Sequence, residues 1–181
     1  PSVLPILLHG AADELDQVQE CSVALMEEVG QAVARDEEGE DDAPKQGYAP
    51  LSLYPRAFKK RPCRGARQIA VDCLDCVARQ LINELGDWSA TTRIKAGATM
   101  LNFLVYAEDK IAQLAEPLLT AFSKAYMDDE QLVCQATEKC IRLSGAFISA
   151  EMFVSIIDSN VRSGNGSVSS KKAWLAVLAT L

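Results

Sequence analysis

A helix that begins a fixed distance after an aspartate returns in this sequence 41 residues later, and few folds accommodate such a return. Asp87 is followed five and six residues on by Thr92 and Arg93, and Asp128 has Val133 and Cys134 at the same offsets, 41 residues downstream. Asp13, with Val18 and Gln19 at those offsets, precedes Asp87 by 74 residues, one period plus 33. The helices around these markers are read from apolar residues spaced three and four apart. Leu15, Val18, Ser22, Leu25 and Val29 fall on one face of a helix expected from Asp13 to Arg35. Ala70, Cys73, Leu74, Val77 and Leu81 make a second stripe, with Gln68, Asp72, Asp75 and Arg79 turned away. It ends at Leu85-Gly86, where glycine can take the left-handed position that closes a helix.

The pattern continues to the last residue. Ile94, Ala98, Leu101 and Val105 define the next helix, and Ile111, Leu114, Ala115, Leu118, Phe122 and Ala125 the one after. Pro117 lies inside that stripe and predicts a kink or break near Glu116. Asp128 with Gln131 resembles a capping box for a helix burying Val133, Ala136, Cys140 and Leu143. Ser149 is a plausible N-cap for Phe153, Ile156 and Ile157, and a last helix groups Trp174, Val177, Leu178 and Leu181. Strand alternation is nowhere convincing. A two-helix unit cannot bury its apolar face alone, so units at such a period stack. The spacing lies within the roughly 40–47 residues of HEAT and armadillo units. The expected fold is therefore all-α, an α-solenoid of HEAT-type antiparallel helix pairs. One pair is expected over 1–35 and further repeats over 65–181, at about 65–107, 108–146 and 149–181. The match is imperfect: HEAT units favour arginine just after the Val-like position, and only Arg93 obeys, since Gln19 and Cys134 do not.

Residues 36–64 interrupt the period. Asp36 to Asp42 is acidic apart from Gly39, and Pro44, Pro50, Pro55 and Pro62 follow with Gly47. Such composition does not build a core and reads as an inserted loop. Arg56, Lys59, Lys60, Arg61, Arg64 and Arg67 come after the acidic run, so the two halves have opposite sign and can attract each other. A docking segment for a partner is the sharper alternative. The ends also speak. Pro1 is not an initiator methionine, and the apolar helical pattern is still running when the chain stops at Leu181, without a polar-faced capping repeat. A piece of a longer solenoid is expected.

Several chemistries lack their parts. A net charge of −7 opposes nonspecific nucleic-acid binding, which needs an excess of cations. No run approaches the roughly 20 apolar residues of a membrane-spanning helix, and Pro1 to His9 lacks a signal peptide's features. His9 is the one histidine, so a triad or a histidine-rich metal site has no base or ligand set. Six cysteines (Cys21, Cys63, Cys73, Cys76, Cys134 and Cys140) follow no secreted framework and are expected reduced and mostly buried. Cys73 and Cys76 have CxxC spacing. A zinc site needs two more ligands at similar spacing, and a redox pair wants a helix N-terminus, whereas this pair is expected mid-helix on the core side. Gly164-Asn165-Gly166-Ser167 lacks the lysine and the preceding strand of a phosphate loop and reads as a turn. Asp128, Asp129 and Glu130 suit the start of a helix, and Glu108 and Asp109 an inter-helix turn. No enzyme, cofactor or metal is expected, and a soluble cytoplasmic binding protein is.

In such a stack the second helix of each pair lines the concave face. Lys95, Thr99, Asn102 and Tyr106, with Gln135, Glu138 and Arg142 on the next repeat, are thus candidate partner contacts. Their bland reading is ordinary solvated helix surface. Asp87, Trp88 and Arg93 are assigned to structure: turn, inter-repeat packing and a ladder pair.

From Asp87 through Trp88, Ser89, Ala90, Thr91, Thr92, Arg93, Ile94 and Lys95, the sequence resembles the HEAT-repeat dynein axonemal assembly factors. That family shows a similar Asp-Trp, a Thr-Arg-(Ile or Val)-Lys string and a leucine-rich helix closed by Ala-Glu-Asp, here Ala107-Glu108-Asp109. Tyr54-Pro55 through Arg61-Pro62 and Gly145-Ala146-Phe147 through Glu151-Met152-Phe153 are also similar. The resemblance runs best from about Tyr54 to Leu181. It implies a cytoplasmic scaffold or adaptor in preassembly of dynein arms for motile cilia, with axonemal dynein chains and chaperone machinery as partners. Period and charge alone leave open another HEAT adaptor, of the nuclear-transport or phosphatase-scaffold kind.

Overall fold

A computed structural model of the chain describes residues 3–34, 49–162 and 167–180. Among them it is all-α, with no strand. The helices are α1 (Val3–Gly10), α2 (Asp16–Ala34), α3 (Arg64–Asp72), α4 (Leu74–Leu85), α5 (Ala90–Ala107), α6 (Ala115–Ala125), α7 (Gln131–Phe147), α8 (Ala150–Arg162) and α9 (Val168–Thr180). Short connections return each helix against its predecessor, giving the pairs α4–α5, α6–α7 and α8–α9. Pairs then stack: α4 lies against α6, α5 against α7, and α9 against both α6 and α7. One continuous core runs through the stack. Its most enclosed element is α5, buried at almost every position from Ala96 to Ala107 because α3, α4 and α7 all pack on it.

Local chemistry sets the breaks. The stripe from Ala70 to Leu81 is buried as expected at Ala70, Leu74, Val77 and Leu81, but it is two helices. The backbone leaves helical geometry at Cys73 (φ −109°, ψ 9°), which caps α4. Cys73 is therefore at a helix start rather than mid-helix, and Cys76 beside it is exposed rather than on the core side. Of the six cysteines only Cys140 is fully buried, so the expectation of mostly buried thiols fails. The break expected near Glu116 falls at Leu114, where a 3₁₀ stretch (Glu108–Leu114) hands over to α6. Pro117 sits in the first turn of α6, where its missing N–H breaks no helical bond. Gly86 closes α4 at φ −98°, an ordinary conformation and not the left-handed one expected. The capping box at Asp128 does not form, because Glu130 is the N-cap and Asp128 is engaged elsewhere. Ser149 does cap α8, its Oγ accepting from the Met152 N–H at 3.3 Å. In α9, Trp174 and Val177 are buried and Leu178 is exposed; Leu181 lies outside the described residues.

The N-terminal end is built differently. The stripe expected to bury α2 does not: Leu15, Val18 and Leu25 are exposed, and Met26 and Gly30 are the buried residues. The reason is α3, which crosses α2 where two glycines meet. A Cβ on Gly65 would run into the Gly30 carbonyl, and one on Gly30 into the Ala66 backbone N–H. Backbones that close leave the flanking apolar side chains of α2 outside the contact. Residues 49–63, expected as a loop outside the core, supply Tyr54, Ala57 and Phe58 to it. Phe58 meets Tyr106 of α5 edge-to-face at 5.3 Å and Tyr54 at 6.2 Å. The acidic run Asp36–Asp42 and the Gly164–Gly166 turn lie outside the described residues.

Candidate functional site

The expected partner contacts divide. Lys95, Gln135 and Arg142 are exposed and Glu138 is half-buried, with Glu138 and Arg142 paired along α7 at 2.7 Å. Thr99, Asn102 and Tyr106 are buried, at 1%, 2% and 2% exposure, and no partner reaches them. They fail as contacts because α5 is enclosed on three sides. The sequence held that signal: Ala96 to Ala107 is apolar nearly all round, and such a helix is interior. Asn102 Oδ1 and the hydroxyls of Thr99, Thr137 and Ser144 have no hydrogen-bond partner among the described residues. Burial, with Glu27 and Cys63 beside it, raises the Tyr106 hydroxyl above its ordinary pKa.

The turns joining the helices of each pair carry the organised polar chemistry. Asp87 Oδ1 accepts from the Ser89 N–H at 2.8 Å, and Ser89 caps α5. Arg93, one turn into α5, donates to the carbonyls of Asp87 and Trp88, both at 3.1 Å. Its other edge grips Asp128 on the next turn, Nε to Oδ2 at 2.8 Å and Nη2 to Oδ1 at 2.9 Å, and reaches Asp129 at 3.2 Å. The fork matches the carboxylate in a bidentate pair. That hydrogen bond chiefly holds the Asp128 carboxyl below its ordinary pKa and the Arg93 guanidinium above its own. Asp87 thus orders its own turn, and Arg93 links that turn to the next. Trp88, expected in inter-repeat packing, is 92% exposed and packs between no repeats.

A second arginine site was not legible. Glu108, expected as a plain turn residue, is 5% exposed and receives Arg61 through Nε and Nη2, both at 2.6 Å, and Arg67 at 3.2 Å. Its backbone stands at φ 46°, a region that ordinary side chains rarely adopt. Nearby, Glu27 accepts the Cys63 N–H at 2.8 Å and pairs with Lys60 at 3.2 Å, while Lys59 faces Glu20 at 3.6 Å. The basic half of the insertion therefore meets acids of α2 and of the turn after α5. Complementary charge was visible in sequence; which carboxylates would answer it was not.

Among the described residues no three His, Cys, Asp or Glu side chains converge at metal-ligand reach, and no helix is long and apolar enough to cross a membrane. Cys134 Sγ lies 3.1 Å from the Asp128 carbonyl and Cys140 Sγ 3.7 Å from that of Gly97. The first is local to the start of α7, and the second joins α7 to α5.

Comparison with known proteins places this arrangement. The sequence model of a family described as dynein axonemal assembly factor 5, HEAT-repeat domain, matches residues 52–181. Dynein axonemal assembly factor 5 of Homo sapiens is 30% identical over 162 residues, covering 88% of this chain and 19% of that protein. Its counterpart in Mus musculus is 30% identical over 155 residues, covering 84% and 18%, and that in Xenopus laevis 28% identical over 156 residues, covering 86% and 18%. The chain thus spans under a fifth of the length of these relatives. No solved structure matches it.

Proposed function

Because the chain belongs to the HEAT-repeat family of dynein axonemal assembly factor 5, we propose that it is a non-catalytic scaffold in the cytoplasmic preassembly of axonemal dynein arms. Its partners in this reading are axonemal dynein chains and the chaperone machinery that folds them. The family match carries the proposal. The fold is compatible with it, since a stack of helix pairs offers long continuous surfaces and asks for no reacting group. The exposed polar positions Lys95, Gln135 and Arg142 and the half-buried Glu138 remain contact candidates in this role.

The test is affinity capture with the chain as bait in a cytoplasmic extract of ciliating cells, read by mass spectrometry against an unrelated HEAT protein. Enrichment of axonemal dynein chains together with chaperones is the expected result. Enrichment of transport factors or phosphatase subunits in their place would move the chain to the general class of HEAT adaptors.

A further inference from the structure

We infer that the edge formed by the α4–α5 and α6–α7 turns is a docking surface for a short segment of another protein carrying lysine or arginine beside a bulky apolar residue. Its centre is Trp88, whose indole is 92% exposed although the chain's other tryptophan, Trp174, is 3% exposed. Tryptophan is among the residues that dominate binding interfaces, because it buries much area at small conformational cost. Met127 and Leu132, both 52% exposed, lie on the turn after α6 and the first turn of α7. Arg93 contacts the backbone of the first turn and the carboxylates of the second at once, so the two turns stand one guanidinium apart. Between them opens a cleft of about 310 Å³ lined by Leu85, Gly86, Asp87, Lys124, Ala125 and Asp129 with the Arg93–Asp128 pair; Trp88 follows Asp87 in the chain, and Met127 precedes Asp128, outside its lining. That is the small end of ligand-site volumes and has room for one long side chain.

Charge selects the occupant. Residues 84–93 and 124–130 hold five carboxylates (Glu84, Asp87, Asp128, Asp129 and Glu130) against two cations, Arg93 and Lys124. Arg93 grips Asp128 with its fork and touches Asp129 through one nitrogen at 3.2 Å, which leaves most of the 95% exposed Asp129 side chain open. A lysine or arginine approaching the indole face gains a cation–π contact and a carboxylate partner together. Its apolar neighbour covers Met127 or Leu132. The turns are already fixed by the Asp87–Ser89 bond and the Arg93 bonds to both carbonyls, so little ordering is needed on binding. The inference does not depend on the dynein reading, because it concerns the chemistry of the occupant and not its identity.

The experiment uses the whole chain and two fluorescein-labelled decapeptides, one alternating Lys or Arg with Leu, the other with Glu at each cationic position. Anisotropy should show saturable binding of the basic peptide that weakens as salt rises from about 0.05 to 0.3 M. Trp88→Ala should weaken it by roughly ten-fold and Asp129→Lys by a lesser but clear factor. Unlabelled basic peptide should shift tryptophan emission to the blue, since Trp174 is already shielded. Trp88→Ala should melt with the parent, and Asp129→Lys, which gives up the 3.2 Å contact with Arg93, is compared below its own melting range. Binding of the acidic peptide equal to the basic one, or undiminished in Trp88→Ala, overturns the inference. Concentration-dependent self-association that Trp88→Ala abolishes also overturns it, by assigning the surface to a second copy.

Discussion

Two junctions in this molecule use the same two devices, an arginine fork on a carboxylate and a close approach at glycine, with different results. Between α5 and α7, Arg93 spans the turns of successive pairs to reach Asp128, and Gly97 lets the helices close until its absent Cβ would sit 2.9 Å from that of Ala136. At the N-terminal end, Arg61 and Arg67 converge on Glu108 while Gly30 and Gly65 bring α2 and α3 together. The first junction lies on the period and its ion pair sits at the rim, beside an Asp129 open to solvent. The second is off the period; its carboxylate is interior and its backbone strained. A junction at the rim can share its charges with solvent. A unique junction has to satisfy every group locally.

The largest expected effect breaks the second junction. Glu108→Ala removes the carboxylate that receives both arginine side chains, which are 21% and 17% exposed; removing one partner of a buried pair costs about 3–5 kcal/mol. Glu108→Gly loses the same carboxylate but relieves the backbone at φ 46°, so it should cost about 1 kcal/mol less than alanine. Urea unfolding of the two variants separates charge from strain, and identical midpoints would show that the turn stores none.

A smaller effect sharpens the contrast at the glycines. Gly65→Ala sets a methyl against the backbone carbonyl of Gly30, which cannot move aside, and should destabilise by about 2–3 kcal/mol. Gly97→Ala meets the Ala136 methyl at 2.9 Å, which can give way only if α7 shifts slightly; helix propensity returns up to about 1 kcal/mol, so its net cost should be about 1–2 kcal/mol and below that of Gly65→Ala. Equal losses in calorimetric melts would erase the distinction between the junctions.

The smallest effect concerns the ladder. Arg93→Ala should lower the melting temperature by a few degrees, and an unchanged value would remove the ladder from the stability of the fold. Asp128 titrates below its unfolded value of 3.8. Its contribution is therefore full above that pH and is lost as pH falls through the lower folded value. The gap in melting temperature between the parent and Asp128→Asn should be constant near neutrality and close in acid. A gap that persists at pH 2 would locate the stabilisation outside this carboxylate.

These junctions also mark where sequence reading succeeds. A helix pair at a 41-residue period is a local pattern plus a translation, so the helices α4 to α7 are legible from stripes and offsets, while the break at Cys73 and the choice of Asp128 as the partner of Arg93 are not. The N-terminal crossing follows from no periodicity. Leu15, Val18 and Leu25 form a better apolar stripe than Met26 and Gly30, and only the backbone approach at Gly65 explains why the poorer face is buried. The Pro-rich insertion concealed Tyr54 and Phe58, because composition averages over a segment while one aromatic pair suffices to dock it. Among the candidate contacts, the place of α5 as the second helix of its pair suggested an outer face, although the helix has too many neighbours to possess one along Thr99, Asn102 and Tyr106. Trp88 inverts that error: bulk and apolarity suggested packing, and its place at the tip of a turn leaves it nothing to pack on.

The clasp on Glu108 also imposes an order of events on a chain made from its N-terminus. Arg61 leaves the ribosome 47 residues before Glu108, an interval of several seconds at about 5–20 residues per second. In that interval Phe58 waits for the Tyr106 ring. The segment that seals the N-terminal end cannot be completed until α3, α4 and α5 have been synthesised. Closure of that end is thus timed by a helix made three elements later, and until then the apolar ring of Phe58 is open to other molecules.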